Sequence, residues 1–315
     1  MKAKFIKCHG SGNEFIMIDT TTFDLSEVAL SQLAIALCDR TNGLSADGVL
    51  LLGRNEEGVY GMRMFNPDGS EAEMCGNGIR CIARMAEERV GKSDFPLYSG
   101  GKIYAAHRLD DIYPSIPTFG IEIDVRLWSD DFGMATPTEG RFVDQPIPQL
   151  DASLTFTAIN VGNPHIIAQV EEIDYAQLKA LGERVIELRE TFPHGVNVSL
   201  VEVRSRNEIF VATYERGAGI TPSCGTAMTS SATAMALLGH CDYDNPIRVV
   251  NRGGAVRCTC SQHEGRLCTT LTGNASYIYE GVVESDGTHF AFDITHHYDD
   301  EQALYKEFVE SLKTV

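Results

Sequence analysis

The sequence has little positive charge, and this shortage limits its partners. Of 315 residues, 26 are Lys or Arg and 44 are Asp or Glu, which gives a formal net charge of −18 at pH 7. A chain this acidic repels phosphate backbones and anionic membrane surfaces. Because 43% of the residues are hydrophobic, the composition is that of a globular protein. We therefore expect a folded protein whose partner is a small molecule rather than nucleic acid.

Long apolar runs and an export signal are also missing. No window approaches the roughly 18 uninterrupted apolar residues that a transmembrane helix needs. Residues 1–15 contain lysines but neither an apolar core nor a small-residue cleavage site. The nine cysteines are odd in number, which favours reduced thiols over a disulfide framework. These features predict a cytoplasmic protein that does not contact membranes.

Two halves of the chain follow the same pattern. In each half, apolar strand segments precede a polar turn that contains Cys-Gly, and an apolar stripe at helical spacing follows. The turns contain Cys75-Gly76-Asn77-Gly78 and Cys224-Gly225-Thr226, and the stripes are Ile79, Ile82, Ala83, Ala86 and Val90, and Met228, Ala232, Met235 and Leu238. Mixed short strands with one such helix in each half predict an α+β fold of two domains. Residues 113–120, which contain two prolines, are the predicted linker.

Cys75 and Cys224 are both predicted to lie at helix N-termini. A thiol there faces unpaired backbone N–H groups and the positive end of the helix dipole, and both lower its pKa. The alternative is that each is a small buried hydrophobic residue, as free cysteines usually are. Two Cys-Gly helix starts, one in each half, favour the functional interpretation.

Such a pair of thiols suits the inversion of a carbon centre. Inversion needs a base on one face of the carbon and an acid on the other, with the roles exchanged in the reverse direction. The carbanionic transition state also needs strong electrostatic support, which two helix N-termini directed at a substrate carboxylate supply. The two cysteines therefore indicate an epimerase or racemase.

Several further segments accompany the two cysteines in a fixed order. They are His9-Gly10-Ser11-Gly12-Asn13-Glu14-Phe15, Phe65-Asn66-Pro67-Asp68-Gly69-Ser70, Gly162-Asn163-Pro164-His165, Asn197 and Glu215-Arg216-Gly217-Ala218-Gly219. In these segments the sequence resembles the diaminopimelate epimerase family of amino-acid racemases, which work without pyridoxal phosphate. The resemblance implies two pseudo-symmetric α+β domains, each with mixed or antiparallel strands around a central helix, and an active site in the interdomain cleft. We expect the first domain at residues 1–118, completed by 275–315, and the second at 119–274.

The resemblance also implies roles for individual residues. Cys75 and Cys224 match the catalytic base and acid, and His165 and Glu215 match a supporting catalytic pair. The matched substrate-binding residues are Asn13, Asn66, Gly76, Asn77, Asn163, Asn197, Glu215, Arg216, Gly225 and Thr226. The asparagines are expected to bind the polar ends of the substrate, and residues 76–77 and 225–226 to donate backbone N–H groups to its reacting carboxylate. No cofactor and no metal are expected.

Three positions depart from the family pattern. Gly48 stands where some members have a substrate-binding Gln, although other members also have glycine there. Ile220 replaces the usual glutamate before the second cysteine, and Ala227 replaces a usual glycine. These changes concern the substrate more than the type of reaction.

Structural interpretations of the same residues stay open. His165 suits a buried structural histidine, the asparagines suit turns, and Glu215-Arg216 suits an ordinary surface pair. Three further cysteines with a histidine resemble a metal cluster, but C-x-C-x₂-H-x₄-C is not a standard zinc spacing. A core-facing hairpin that turns near Glu264-Gly265 is therefore the favoured interpretation of Cys258, Cys260, His263 and Cys268.

The expected function is that of a cofactor-independent epimerase which inverts an amino-acid α-carbon with two cysteines. The expected reaction converts LL-diaminopimelate to meso-diaminopimelate on the route to lysine and peptidoglycan. Two alternatives remain: a racemase of the same fold for another amino acid such as histidine, and a binding or thiol redox protein without this chemistry. The expected oligomeric state is monomer or homodimer, and the amphipathic segment after residue 298 is expected either to pack on the first domain or to contact a second copy.

Overall fold

The chain forms two compact units. The computed structural model describes residues 2–23, 25–72, 74–128, 132–134, 140–286 and 289–312. The first unit comprises Met1–Ile121 and Thr272–Val315, and the second comprises Glu122–Leu271. The domain ranges expected from the sequence stay a prediction.

Nineteen strands and five helices lie in the described part of the chain. The strands are β1 Lys2–Gly10, β2 Asn13–Asp19, β3 Gly48–Arg54, β4 Tyr60–Phe65, β5 Glu71–Ala72, β6 Asp94–Ser99, β7 Lys102–Leu109, β8 Thr118–Val125, β9 Gln145–Ile147, β10 Asp151–Asn160, β11 Pro164–Val170, β12 Asn197–Ser205, β13 Glu208–Glu215, β14 Gly219–Thr221, β15 Pro246–Asn251, β16 Gly254–His263, β17 Arg266–Asn274, β18 Ser276–Ser285 and β19 Phe290–His297. The helices are α1 Glu27–Cys38, α2 Gly76–Val90, α3 Tyr175–Glu187, α4 Gly225–Leu237 and α5 Asp299–Ser311.

The first unit is built on a mixed sheet. Its strands pair in the order β19-β18-β1-β2-β3-β4-β6-β7-β8, and the short β5 pairs with β4. The pairs β2/β3 and β4/β6 are parallel and the other pairs are antiparallel. Helix α1 connects the parallel strands β2 and β3, and α2 connects β5 to β6.

The second unit repeats this arrangement. Its strands pair in the order β9-β10-β11-β12-β13-β15-β16, the short β14 pairs with β13, and the pairs β11/β12 and β13/β15 are parallel. Helices α3 and α4 take the places of α1 and α2. The registers also correspond, since Val49 pairs with Phe65 in one unit and Val198 pairs with Tyr214 in the other. The predicted α+β fold with pseudo-symmetric halves is confirmed.

The two central helices are buried to different degrees. In α2 the predicted stripe is buried from Ile79 to Ala86, and Val90 is half-buried where the helix ends. Helix α4 is buried on every face up to Ala236, because it packs against β10, β11, β12, β13, β15 and β16. Its small Ala, Ser and Thr side chains allow the strands to approach it from all sides. A one-sided stripe was therefore too narrow a prediction for α4.

The prolines predicted a linker at residues 113–120, and the division between the two units falls directly after it, between Ile121 and Glu122, but the segment itself is packed rather than an open loop. The Ile116 side chain is buried, and the Ala275 N–H donates to the Pro117 carbonyl at 2.9 Å. Strand β8 already begins at Thr118. Tertiary packing thus fixes a segment whose local composition favours a loop.

Helix α5 packs on the first unit, as one of the two expectations held. It lies against β18, and its buried side chains are Tyr305 and Phe308. Among the helices in the described part of the chain, none is both long enough and apolar enough to cross a membrane.

Candidate active site

Cys75 is the N-cap residue of α2, as the sequence predicts. Its backbone is extended, with φ −139° and ψ 110°, and its Sγ accepts a hydrogen bond from the Gly78 N–H at 3.4 Å. Gly76 and Asn77 begin the helix and are buried. The thiol therefore lies beside the N–H groups of the first helical turn, where negative charge is stabilised.

Asn13 is held beside the start of α2 by two hydrogen bonds. Its Oδ1 accepts from Asn77 Nδ2 at 3.3 Å, and its Nδ2 donates to Asp47 Oδ2 at 2.8 Å. The same Asp47 oxygen accepts from the Glu14 N–H at 3.0 Å. The contacts bring Asn13 and Asn77 together at one end of the first unit.

Asn66 makes its hydrogen bonds within the turn that it begins, residues 66–70. Its Nδ2 donates to Ser70 Oγ at 2.9 Å, and its N–H donates to the Ser70 carbonyl at 2.8 Å. These contacts fit the turn interpretation, and the substrate-binding role of Asn66 stays a prediction.

The space around Gly48 is tight. A Cβ atom there would lie 3.0 Å from both the Met64 Cε and the Phe65 carbonyl oxygen. Because β3 passes so close to β4, a longer side chain would require one of them to shift.

Cys224 is the N-cap residue of α4 but lies in a different environment from Cys75. Its side chain is 8% exposed, and its Sγ lies 3.4 Å from Thr226 Oγ1. Burial raises the pKa of the Cys224 thiol well above its ordinary value, and the Glu215 charge raises it further, while hydrogen bonds from Thr226 and the Ala227 N–H oppose the rise. The expected lowering of this pKa by the helix N-terminus is therefore outweighed by desolvation. Cys224 is protonated at neutral pH.

Glu215 ends β13 and has a fixed partner. The Thr221 hydroxyl, on the neighbouring β14, donates a short hydrogen bond to Glu215 Oε1. By the sheet register, Asn66 and Ala72 occupy the corresponding places in the first unit. The second unit thus has the Glu215 carboxylate and the Thr221 hydroxyl ahead of Cys224. At the corresponding positions ahead of Cys75, the first unit has the Asn66 amide and the Ala72 methyl group.

His165, Asn163 and Asn197 form one network, in which His165 and Asn197 are buried and Asn163 is half-buried. His165 Nε2 lies 3.0 Å from Asn163 Oδ1 and 3.5 Å from Asn197 Nδ2. Asn163 Nδ2 in turn donates to Thr226 Oγ1 at 3.2 Å. Burial, with the Arg216 charge, lowers the pKa of His165 from 6.5 to about 3, so the ring is neutral at physiological pH. With Nε2 protonated, the neutral ring donates to Asn163 Oδ1, whereas Asn197 Nδ2 donates to the Pro164 carbonyl at 3.3 Å. The catalytic role of His165 stays a prediction.

Arg216 joins this network through its backbone. Its N–H donates to Asn197 Oδ1 at 2.9 Å, while its guanidinium Nη1 donates to the His194 carbonyl at 2.5 Å. Ile220, which replaces the usual glutamate, packs against the hydrophobic core of the second unit, and Ala227 is fully buried in α4. At two of the three positions that depart from the family pattern, the side chain thus packs in apolar surroundings.

The sequence analysis did not identify several residues that support the candidate site. Arg80 is fully buried and donates to the Gly76 carbonyl at 2.8 Å and to Ser11 Oγ at 3.0 Å. Asn274 Oδ1 accepts from the Ser11 N–H at 2.8 Å, and Asp47 and Thr221 hold Asn13 and Glu215. Of these residues, only Arg80 could have been found from the sequence, since an arginine between the apolar stripe positions Ile79 and Ile82 requires polar partners when it is buried.

The three cysteines of the predicted hairpin face the protein interior, as the favoured interpretation held. Strands β16 and β17 are joined at Glu264 and Gly265, and all three cysteines on them are buried. Within the described ranges, no three or more His, Cys, Asp or Glu side chains are arranged to hold a metal ion.

His165 makes folding stability depend on pH. Its folded-state pKa of about 3 lies below the ordinary 6.5, so below pH 6.5 the unfolded chain takes up a proton that the folded protein does not. Stability from this group is complete above pH 6.5 and falls with the pH, by about 2 kcal/mol at pH 5. Urea unfolding of wild type and His165→Asn at pH 7.5 and pH 5 measures this, and the variant should lose about 2 kcal/mol less than wild type on acidification.

The control for this experiment is His263→Asn, because the His263 side chain is 75% exposed. It should retain the full pH dependence of the wild type. His9, whose pKa burial lowers to about 4, adds a similar contribution in all three proteins and cancels in the comparison. A His165→Asn variant as sensitive to acid as the wild type would contradict the assignment.

The chain is similar to known proteins over nearly its whole length. It matches the family model described as diaminopimelate epimerase at residues 5–103 and 157–278. Curated proteins with that same name are 35% identical in Clostridium acetobutylicum, covering 98% of this chain and 95% of the relative, and 37% identical in Ligilactobacillus salivarius, covering 98% and 99%.

Solved structures show the same fold at low identity. A Bacillus anthracis phenazine biosynthesis protein of the PhzF family matches with a TM-score of 0.66 at 15% identity, covering 90% of this chain and 100% of that one. A hydroxyproline epimerase from Agrobacterium vitis matches with a TM-score of 0.58 at 12% identity, covering 89% and 92%. At such identities the likeness extends to the fold alone.

Proposed function

The chain belongs to the diaminopimelate epimerase family, and we propose that it is an isomerase which interconverts LL- and meso-diaminopimelate without a cofactor. The observation that carries the proposal is the pair of N-cap cysteines at corresponding helices of the two units. Cys75 precedes α2 and Cys224 precedes α4. Each helix follows a short strand, β5 or β14, and these two strands pair with the corresponding strands β4 and β13. Meso-diaminopimelate is a precursor for lysine and peptidoglycan, which is the route we assign to the reaction.

In the proposed mechanism the two thiols act on one α-carbon. In the direction that begins with Cys224 protonated, Cys75 removes the α-proton as a thiolate and Cys224 donates its proton to the opposite face. The product complex then holds Cys75 as thiol and Cys224 as thiolate, which is the starting state for the reverse reaction. The buried state of Cys224 supports this assignment, because burial and Glu215 favour its protonated form.

The first turns of α2 and α4 are proposed to stabilise the carbanion. The N–H groups of Gly76 and Asn77, and of Gly225 and Thr226, belong to the unpaired donors of a helix start. Aimed at the reacting carboxylate, they stabilise the charge that develops on it as the α-proton leaves. Because these donors lie in rigid helices, they do not need to reorganise during the reaction.

Glu215 is proposed to act on Cys224 rather than on the substrate's α-carbon. Its charge favours the thiol form, and its hydrogen bond from Thr221 fixes the carboxylate. When Cys224 becomes a thiolate, repulsion from Glu215 makes that thiolate a stronger base for the reverse step. The carboxylate thus raises the reactivity of one of the two cysteines.

The distal amino-acid group of the substrate is proposed to bind amide and guanidinium groups. Asn163 is oriented by His165 and Thr226, and Asn197 by the Pro164 carbonyl and the Arg216 N–H. Asn13 is oriented by Asn77 and Asp47. Asn66 and Arg216 complete the proposed set. Preorientation of this kind lowers the entropy lost on binding.

This arrangement predicts strong discrimination between substrates. Lysine lacks the distal carboxylate of diaminopimelate and leaves buried polar groups unpaired, so its kcat/KM should be lower by about a thousandfold or more. The measurement is deuterium incorporation at Cα in heavy water, followed by mass spectrometry, for LL-diaminopimelate, lysine and histidine.

The same assay decides among the alternatives. Faster exchange of histidine or lysine would retain the two-thiol chemistry and replace the substrate. No exchange with any amino acid, from a protein whose unfolding transition is intact, would leave a binding or thiol redox protein.

A further inference from the structure

The first turn of helix α5 makes charged and hydrogen-bonded contacts with the first unit. Glu301 Oε1 accepts from Arg84 Nη1 of α2 at 2.5 Å, and its Oε2 accepts from the Tyr277 N–H at 2.9 Å. The Glu301 and Arg84 side chains are only 12% and 16% exposed. The Arg84 guanidinium also lies 3.5 Å from the centre of the Tyr277 ring. Helix α5 is therefore held by a largely buried charge pair rather than by surface contacts.

The next residues of α5 reach His9. Gln302 Nε2 donates to the Tyr277 carbonyl at 2.7 Å and lies 3.5 Å from His9 Nε2. The Tyr305 ring meets the His9 ring edge-on, with the ring centres 4.3 Å apart. Both His9 and Tyr305 are less than a tenth exposed. One side of the imidazole is thus covered by α5.

The other nitrogen of His9 faces the turn between β1 and β2. Its Nδ1 accepts from the Gly12 N–H at 3.4 Å and lies 3.3 Å from Asn274 Nδ2. Ser11 has a positive φ of 55°, which is costly for a residue other than glycine, so contacts from outside the turn help to hold this backbone conformation. The His9 ring supplies part of that support, and it connects α5 to the turn.

The turn leads directly to the candidate site. Arg80 Nη2 donates to Ser11 Oγ at 3.0 Å and to Asn77 Oδ1 at 3.3 Å, so the turn and the start of α2 share one guanidinium. A Cβ atom on Gly10 would lie 2.7 Å from the Asn77 carbonyl oxygen, which shows how closely the turn and the helix approach. Asn13 follows the turn and accepts from Asn77 Nδ2. Any displacement of the turn therefore displaces Asn13.

We propose that Tyr305, with Gln302, is a positioning residue of the site: through the His9 ring, α5 fixes the turn that places Asn13 beside the first turn of α2. This inference rests on the proposed function, because Asn13 is there assigned to substrate binding. It gives the helix after residue 298 a part in substrate recognition without contact with the substrate.

The test compares two aromatic residues of the same helix. Tyr305→Leu removes the ring from His9 and should lower kcat/KM for LL-diaminopimelate about tenfold, through a higher KM. Phe308→Leu is the matched control, because Phe308 is about as buried as Tyr305 and its ring packs 5.5 Å from Tyr113 and 5.9 Å from Tyr305, so it loosens the same helix while the Tyr305 ring stays on His9. Phe308→Leu should lose a similar amount of thermal stability but keep KM within about twofold. Tyr305→Phe retains the ring and should restore the wild-type KM.

A second readout does not depend on activity. Amide hydrogen exchange of the peptide that covers residues 10–15 should be faster in Tyr305→Leu and unchanged in Phe308→Leu and Tyr305→Phe. If the wild type exchanges no substrate proton, the proposed function fails while this result still supports the link from α5 to the turn. Faster turn exchange with an unchanged KM would overturn the positioning role, and equal KM changes in Tyr305→Leu and Phe308→Leu would overturn it as well.

Discussion

Cys75→Ser and Cys224→Ser should each lower the rate of epimerisation by about a hundred- to ten-thousand-fold, which is the usual contribution of a general acid or base. A serine hydroxyl is a far weaker acid than a thiol, and its alkoxide is not available at neutral pH. Each variant should still fold, because serine keeps the size of the side chain and an N-cap oxygen is well suited to a helix start.

The matched control is Cys268→Ser. Cys268 is as buried as Cys224, at 8% exposure, but it lies on β17 and its Sγ donates to the Ser261 carbonyl at 3.8 Å. Its variant should keep the epimerisation rate within about twofold while losing a comparable amount of stability. Near-normal turnover by either Cys75→Ser or Cys224→Ser would contradict the two-thiol mechanism.

Arg84→Met should lower the free energy of unfolding by about 3–5 kcal/mol, because it leaves the Glu301 carboxylate largely buried without its counter-charge. The Ala275 carbonyl also loses the hydrogen bond that Arg84 Nη1 donates at 2.8 Å. Urea unfolding, followed by circular dichroism, measures the change. This is the largest effect on stability that we expect from a single ion pair of the described residues, since each other Arg or Lys pair with a carboxylate has at least one side chain that is 30% or more exposed.

Arg89→Met is the control for charge removal from the same helix. Arg89 pairs with Asp19 at 3.2 Å, but their side chains are 45% and 24% exposed. Such a pair contributes less than about 1 kcal/mol, so this variant should unfold almost as the wild type does. The double variant Arg84→Met/Glu301→Leu should recover part of the loss, since it removes the unpaired charge. A loss for Arg84→Met no larger than that for Arg89→Met would contradict the buried character of the pair.

The features that the sequence predicted correctly depend on neighbouring residues. A helix start is encoded within a few positions, so Cys75 and Cys224 could be assigned as the residues that precede α2 and α4. The likeness of the two halves was also readable, because each half repeats the order of strand, turn, Cys-Gly and helix. The resemblance to a family then supplied residues such as Asn163 and Asn197, for which local pattern favoured nothing beyond a turn.

The features that it missed depend on residues far apart in the chain. Asn274 supports the Ser11 N–H from 263 positions away, and no local period signals such a contact. The pKa of Cys224 was expected to fall because only the helix start is visible in sequence, whereas burial and Glu215 determine its direction. The linker was predicted from two prolines, but the Ala275 N–H and the burial of Ile116 fix that segment.

The division of the first unit between two distant segments has a consequence for synthesis. The second unit is one continuous stretch and has all its strands once residue 271 has been added. The turn at Ser11 is made much earlier, yet its partner Asn274 follows 263 residues later, and β18, which flanks β1, follows that. At about 5–20 residues per second, the turn waits roughly 13–50 s on the ribosome for that partner. During this interval β1 has an open edge, so we expect chaperones that cover exposed strands to affect the yield of the first unit more than that of the second.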